Sequence, residues 1–412
     1  MLRLDINTTF TYFWLFVDGM NRQAFIIFII IFSPTLLLAQ VPYSQQKDAI
    51  DLLRTAFDIS KPRKTDSTSL KEGGKVVAFL PNVGYAPQSR FLVQFVTNVA
   101  LKNTNANVSI FNILATYTQN RQSILQGTSS YFSKNNKYFF STDWRLMNYP
   151  QSTYGLGMNT SLDKGIDMNF RYLKLYQTLM RSVASGLYVG IGYQFDYHWK
   201  IQSLTEDDIV TEISGYSLGT SGASVSSGPT VALLFDNRTN AMSPSRGFYA
   251  NMVLKQTLKS LGSNTNYQSL LLDARKYFNL SGNGNHVLAL WSYNFFTHGH
   301  VPYLDMPSTG WDTNVNTGRG FIQGRYRGQN LMYLETEYRF TLTRNQLFGG
   351  VVFSNLQTVS EPDTRRFNKI MPAIGAGLRI RVNKFSRANL AIDYGIGGDG
   401  SRNLYFNFGE VF

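Results

Sequence analysis

Few residues in this sequence could carry out chemistry, and the pattern they make is weak. Residues 215–219 read GYSLG, which has the G-x-S-x-G spelling of a serine nucleophile elbow. That elbow needs a strand, a sharp turn and a helix around the serine, whereas these residues lie in a stretch rich in Gly and Ser. The spelling alone therefore does not indicate a hydrolase.

The histidines are the other candidates for chemistry. His298 and His300 could contact a metal ion, but no third ligand is in view, and the chain has no cysteine for a thiolate site or a disulfide. We expect neither a metal nor a cofactor. His198 lies near the end of a strand-like segment, which leaves open an esterase whose serine would stand on an adjacent strand.

Composition narrows the class of protein. Charged residues make up 16% of the 412 residues, well below the roughly 25% of soluble chains. Tyr (24), Phe (30) and Gly (34) are abundant, which suits a membrane barrel with aromatic residues at both interfaces. The net charge is +13, but the basic residues are scattered rather than clustered, so we expect no nucleic-acid partner.

From Lys75 onward the sequence alternates with a period of two. In Met332 to Leu342 one face is apolar and the other carries Glu335, Glu337 and Arg339, which suits lipid outside and a wet lumen inside. We count sixteen such segments, which begin near residues 75, 90, 106, 121, 137, 166, 186, 226, 246, 266, 286, 331, 346, 371, 387 and 402.

The connections alternate between short turns and long loops, as in outer-membrane proteins, where the short turns face the periplasm. The pattern predicts an all-β fold, a transmembrane barrel of 16 antiparallel strands over residues 75–412. A bacterial outer-membrane location follows.

Two segments precede this barrel. Residues 24–38 form an apolar run after Arg22 and before Ala39, which predicts a secretory signal peptide cleaved after Ala39, with residues 1–19 as an over-long start. Residues 40–74 then hold an amphipathic helix and a polar linker, residues 61–74. The helix spans Ser44 to Phe57, with Ser44 as a possible N-cap and Ile50, Leu53 and Phe57 on its apolar face. It either packs on the nearest surface or plugs the periplasmic mouth.

The first and last segments would meet at the seam of a closed barrel. The chain ends LYFNFGEVF, which places Leu404, Phe406, Phe408 and Phe412 on one face, with Glu410 interrupting it. A last strand of this form is one that outer-membrane assembly machinery recognises. On the first strand we expect Phe79 and Tyr85 to lie at the same seam.

Three motifs in order resemble the BamA/TamA superfamily, also called the bacterial surface antigen family. Gly318, Arg319, Gly320 and Phe321 resemble the Arg-Gly-Phe/Tyr motif of its sixth extracellular loop, followed by a strand bearing Glu-Tyr-Arg at 337–339. Residues 79–87 (FLPNVGYAP) resemble its first strand, and residues 236–247 (DNRTNAMSPSRG) resemble an Asp-x-Arg…Pro-x-x-Gly turn. The resemblance covers residues 75–412.

The resemblance implies a site. In that family the loop folds into the lumen and its arginine is held by acidic groups of the wall, so Arg319 would be that arginine. Glu337 is the first choice of partner and Glu335 the second. Asn355 stands where the family often has an aspartate, so half of the implied clamp departs from the pattern.

The resemblance also implies a function, insertion, assembly or translocation of polypeptides without catalysis. The first and last strands would part laterally, and Gly395, Gly397, Gly398 and Gly409 would weaken their pairing. The implied partners are unfolded outer-membrane or secreted polypeptides, outer-membrane lipid and lipopolysaccharide, and the machinery that inserts the barrel itself. The 35 residues from Gln40 to Gly74 are too few for a periplasmic polypeptide-transport (POTRA) repeat, so we expect a barrel-only member. A passive channel or structural barrel gated by the sixth loop is the alternative.

Overall fold

A computed structural model describes residues 46–56, 72–206, 209–240, 243–312, 316–384 and 387–412. The predicted signal peptide, Ser44, Phe57 and residues 61–71 of the predicted linker lie outside these residues, as does the side chain of Leu53. No helix in the described ranges is both long enough and apolar enough to cross a bilayer.

Sixteen long strands and one short strand make a single antiparallel sheet. The strands are β1 (Lys75–Ala86), β2 (Arg90–Lys102), β3 (Val108–Thr118), β4 (Ser123–Phe132), β5 (Tyr138–Asn148), β6 (Gln151–Thr153), β7 (Ile166–Ala184), β8 (Leu187–Ser203), β9 (Gly222–Asp236), β10 (Gly247–Thr257), β11 (Tyr267–Asn279), β12 (His286–Gly299), β13 (Asn330–Thr341), β14 (Phe348–Val359), β15 (Met371–Asn383), β16 (Ala388–Gly397) and β17 (Arg402–Phe408). The described α-helices are α1 (Ala49–Ala56) and α2 (Ile209–Ser214). Four short 3-10 helices among the described residues span Lys134–Asn136, Leu162–Lys164, Lys259–Leu261 and Tyr303–Asp305.

The strands fall where the alternation predicts them, and their two faces differ as expected. On β13, Glu335 and Glu337 are fully buried inside, whereas Met332 and Leu334 are 42% and 49% exposed on the outside. Successive residues of a strand point to opposite faces, so the apolar set is presented to lipid and the charged set to the lumen. The prediction of sixteen long strands is confirmed; the short β6, which pairs with β7, was not predicted.

The seam between β1 and β17 differs from every other junction. Each long strand pairs in register with the next from β1 to β17, but in the described chain no backbone ladder joins β17 to β1. The two strands touch through Tyr85 and Phe406, whose ring centroids are 6.5 Å apart. Side-chain contact rather than strand pairing therefore closes this junction.

Helix α1 lies on the rim of short turns. Asp48 caps the helix, because its Oδ1 accepts a 2.8 Å hydrogen bond from the Asp51 amide. Lys384, in the β15–β16 turn, donates from its amide to Asp48 and from Nζ to Asp51, both at 2.8 Å. The helix is thus shorter than predicted and begins at Ala49; Ile50 is half-buried.

Candidate functional site in the barrel lumen

Residues 300–329 connect β12 to β13, and we call them loop six. The described residues of loop six, 300–312 and 316–329, fold back inside the barrel. Tyr303 and Tyr326 are fully buried, and Arg319, Arg325 and Arg327 are each at most 2% exposed. A guanidinium keeps its charge at any ordinary pH, and burial without partners would cost several kcal/mol. Each of these arginines must therefore be held by acceptors of the wall or of the loop.

Arg319 meets three carboxylates. Its Nη2 donates to Glu335 Oε1 and lies 3.3 Å from Glu337 Oε2, and its Nη1 donates to Asp393 Oδ2 at 2.8 Å. Its guanidinium carbon is 3.7 Å from the centre of the Phe353 ring. Carboxylates therefore bind two edges of the guanidinium, and an aromatic ring packs against its face. Guanidinium groups favour this geometry.

The structure brings together all the predicted clamp residues but distributes their contacts differently. Glu337 was the predicted first partner, whereas Glu335 and Asp393 make the direct hydrogen bonds. Asn355 does not contact the guanidinium; its Nδ2 donates to the backbone oxygen of Arg319 at 2.8 Å. Asp393, on β16, was not predicted as a partner; its inward phase on its strand was the only signal.

The acidic wall continues toward the rim of short turns. Arg379 Nη1 donates to Asp393 at 2.5 Å, and its Nε donates to Glu410 at 2.8 Å. Arg339 lies 3.3 Å from Glu337, and Glu337 is also 3.2 Å from Arg379. Arg319 is therefore one end of a buried chain of alternating charges that reaches the C-terminal residues.

Two glycines allow the loop backbone to lie against the wall. Gly320 has φ +107°, and a Cβ on it would lie 2.7 Å from the Ala373 Cβ. A Cβ on Gly395 of β16 would lie 2.8 Å from the Gly320 nitrogen. The sequence suggested that Gly395 weakens strand pairing; the structure gives it a different role, since it makes room for the loop.

Loop six is bound directly to the last strand. The Gly320 oxygen accepts from Ser401 at 2.7 Å and from Asn403 at 2.8 Å. The Tyr405 hydroxyl accepts from the Gly320 amide at 2.9 Å and donates to the Phe321 oxygen at 2.8 Å. The strand that lacks a paired neighbour at the seam is thus supported from inside the lumen.

The C-terminal residues turn inward, which corrects the predicted last strand. β17 ends at Phe408, and Gly409, with φ +97°, redirects the chain. Phe412, expected on the outer face with Phe408, is 4% exposed, and its ring lies 5.1 Å from that of Trp291. Glu410 likewise points inward. Residues 409–412, the C-terminal tail, are therefore part of the lumen packing.

The other predicted seam residues stay at the barrel wall. Phe79 is 74% exposed and pairs with Thr97 of β2, and Phe408 is 48% exposed. Tyr85 and Phe406 are the pair that meets across the seam. The contact therefore lies six residues farther along β1 than Phe79.

A second buried cluster holds loop six nearer the rim of long loops. His198 Nδ1 is 3.4 Å from Asp305 Oδ1, and Ser226 donates to the other Asp305 oxygen at 2.5 Å. Burial, and then the charge of Asp196, raise the pKa of the Asp305 carboxyl to about 7. Asp196 is itself paired with Lys255 at 2.7 Å.

The candidate catalytic and metal-binding side chains lie in three separate places. Ser224 faces His198 across the β8–β9 pairing and is 1% exposed. Ser217 is exposed and follows a helix instead of preceding one. His298 and His300 are exposed, and in the described ranges no cluster of three or more His, Cys, Asp or Glu side chains is placed to hold a metal.

Comparison with known proteins settles the family. The Omp85 superfamily domain matches residues 92–412. The chain belongs to the Omp85 superfamily. Among solved structures it is similar to BamA from Haemophilus ducreyi lacking POTRA domains 1-3, at 14% identity and a TM-score of 0.54, with 81% of this chain and 70% of that chain covered.

Two other solved structures share the fold. CdiB from Acinetobacter baumannii is 11% identical with a TM-score of 0.52, and the match covers 81% of this chain and 59% of that chain. CdiB from Escherichia coli is 9% identical with a TM-score of 0.53, over 82% of this chain and 68% of that one. The chain thus spans about three fifths to seven tenths of these proteins. No curated protein sequence matches it.

Membership of this superfamily makes the sheet a bacterial outer-membrane barrel, and the predicted family, fold class and membrane are confirmed. The rim of short turns is then the periplasmic rim, and the rim of long loops is extracellular. The Omp85 domain contains the whole of loop six, the acidic wall and the C-terminal tail.

Proposed function

We propose that this Omp85 barrel assists the insertion or translocation of polypeptides by parting at the β1–β17 seam. One observation carries the proposal: the seam is the one junction between neighbouring long strands that no backbone ladder joins in the described chain. An unpaired strand edge is a template for another extended chain. Parting here breaks fewer hydrogen bonds than parting anywhere else.

The lumen network fits the same role. Loop six holds β17 from inside through Asn403 and Tyr405, and Glu410 anchors the C-terminal tail that follows β17 to Arg379 of β15. β17 pairs with β16 on one side and has no paired strand on the seam side. Because loop six supports it from inside, β17 can keep its shape while its seam edge is free. The partner class proposed on this basis is an unfolded polypeptide that pairs as a strand, with the lipid of the outer membrane around it.

The test is a disulfide across the seam. Tyr85→Cys combined with Phe406→Cys, with neighbouring positions scanned for register, joins β1 to β17 in a chain that has no cysteine of its own. Tyr85→Cys with Phe91→Cys is the matched control, because these residues are partners in the β1–β2 ladder. Cells would be assayed for growth and for levels of outer-membrane proteins, with and without reductant.

Loss of function with the seam locked, recovered on reduction and absent in the control, is the expected result. Unchanged cells would instead favour a passive channel or structural barrel gated by loop six. The buried residues of loop six, which fill the lumen, support this alternative. Deleting the described segment 316–326 would then raise conductance without affecting any client. An esterase would require lipid hydrolysis that is lost on His198→Ala.

A further inference from the structure

The periplasmic rim contains a small cavity with an unusual lining. Its volume is about 60 Å³, and four arginines border it: Arg339, Arg379, Arg381 and Arg387. Among the described residues that line it, Glu410 is the only carboxylate. Glu337 and Asp393 lie behind Arg339 and Arg379 and are paired with them, whereas Arg381 and Arg387 make no ion pair within the described residues.

Some of the donors around the cavity have no acceptor. The Nε of Arg381 is buried and makes no hydrogen bond within the described chain, and the buried Nε of Arg339 has only Glu410 Oε2 near it, at 3.7 Å. Arg339 is itself only 8% exposed. A buried donor without a partner destabilises the folded chain, and a charged donor does so more strongly, so the arrangement favours a ligand that supplies oxygen atoms.

The cavity also has neutral donors and a fitting size. Ser243, Ser245 and Asn285 belong to two periplasmic turns that border it. A space of this volume accommodates several waters or one small oxyanion group, since a single water needs roughly 10 to 15 Å³ on such a measure. The planar guanidinium matches a carboxylate or a phosphate with two parallel hydrogen bonds.

We propose that this cavity is a binding site for a single oxyanion group, a phosphate or a carboxylate, that enters from the periplasmic side. The anion binds between Arg381 and Arg387 and shares Arg339 and Arg379 with Glu410. This site does not depend on the proposed function, because it requires only the closed barrel. It places an anion against the same arginines that hold the C-terminal tail.

The experiment uses the full chain purified in detergent, in a buffer free of phosphate and carboxylate. Inorganic phosphate is titrated by calorimetry, and a short peptide with a free C-terminal carboxylate is compared with the same peptide amidated. Arg387→Gln is the first variant, because Arg387 is exposed on a turn and its loss spares the core. Arg381→Gln is the second, and Arg344→Gln is the control, an exposed arginine of the same rim that does not line the cavity.

We expect saturable binding of one anion per chain, weakened about tenfold or more in Arg387→Gln and Arg381→Gln, the loss of one charge-assisted hydrogen bond. Arg344→Gln should bind as the unaltered chain does. Binding of phosphate alone identifies a free anion as the ligand, and binding of the free-carboxylate peptide but not the amide identifies a chain terminus. Absence of binding to both probes, or equal binding in all variants, overturns the proposal.

Discussion

At the residue scale, the loop-six clamp depends on the absence of side chains as much as on charge. Gly395 faces Gly320 so closely that a methyl group would lie 2.8 to 2.9 Å from its backbone atoms. Backbone cannot move aside as a flexible side chain can. Strands position the carboxylates that hold Arg319. Loop six reaches these carboxylates only because Gly395 of the wall has no side chain.

We expect Gly395→Ala to displace loop six and to lower the free energy of unfolding by about 1 to 3 kcal/mol, the range for overpacking. Urea unfolding in detergent and limited proteolysis of loop six measure the two effects. Gly127→Ala is the matched control, also on a strand, where an added Cβ meets nothing within 4 Å. Equal behaviour of the two variants would contradict the close-packing role of Gly395.

Asp305 gives loop six a dependence on pH. Its carboxyl pKa is raised from 3.8 to about 7 by burial and by Asp196, so the folded chain holds a proton there that the unfolded chain releases. The stability that this proton contributes is complete below about pH 4 and is lost as the pH rises through 7. His198, Ser226, Lys255 and Arg327 are the other groups that contribute at this carboxyl.

Denaturant midpoints should therefore fall between pH 5 and pH 8 in the unaltered chain. The fall should be smaller in Asp305→Asn, which keeps the shape of the side chain but does not titrate. A pH profile that is identical in both chains would show that another group is responsible.

At the element scale, the sequence predicts the strands well and the loop contacts poorly. Sixteen alternating segments are sufficient for the sheet because each strand needs only its own pattern and a neighbour. Asp393 and Arg379 could not be singled out, since their role depends on which strands face loop six across the lumen. The family resemblance supplied Arg319 and Glu337 for the clamp, and the alternation added Glu335, which lies two residues away on the same face.

The C-terminal tail shows why alternation fails at a chain end. Phe412 continues the apolar phase of Phe408, so the pattern places both on the lipid face. Gly409, in a left-handed conformation, breaks the strand, and Phe412 then packs near Trp291 and Tyr277. A single backbone torsion therefore decides the side of the wall on which the last residue lies.

We expect Phe412→Ala to lower the free energy of unfolding by roughly 3 to 5 kcal/mol, the usual cost of removing a buried Phe side chain. Phe408→Ala, at a position 48% exposed, should cost much less. Urea unfolding of both variants in detergent decides between the inward and outward placements. A larger loss of unfolding free energy in Phe408→Ala than in Phe412→Ala would show that Phe412 lies on the outer face.

At the scale of the whole molecule, the two unusual parts of the barrel are coupled. β17 has no paired neighbour at the seam, and loop six holds it through Asn403 and Tyr405. Loop six is in turn held by its own Arg319, which binds carboxylates of β13 and β16. The order of the seam edge of β17 therefore depends on the clamp. The dependence is indirect, because the guanidinium of Arg319 does not contact β17.

Releasing the clamp should loosen the seam. In the Tyr85→Cys, Phe406→Cys chain, adding Arg319→Ala leaves Glu335, Glu337 and Asp393 without their shared cation, a change of a kind that typically costs about 3 to 5 kcal/mol. We expect the seam disulfide to form more slowly, because positions 406 and 85 spend less time in contact. The disulfide between positions 85 and 91 of the control chain should form at an unchanged rate. Arg319→Lys, which keeps the charge but loses the planar fork, should fall between the two. Equal rates of seam cross-linking with and without Arg319 would show that β17 is held by the wall alone and that the loop-six clamp has no part in the behaviour of the seam.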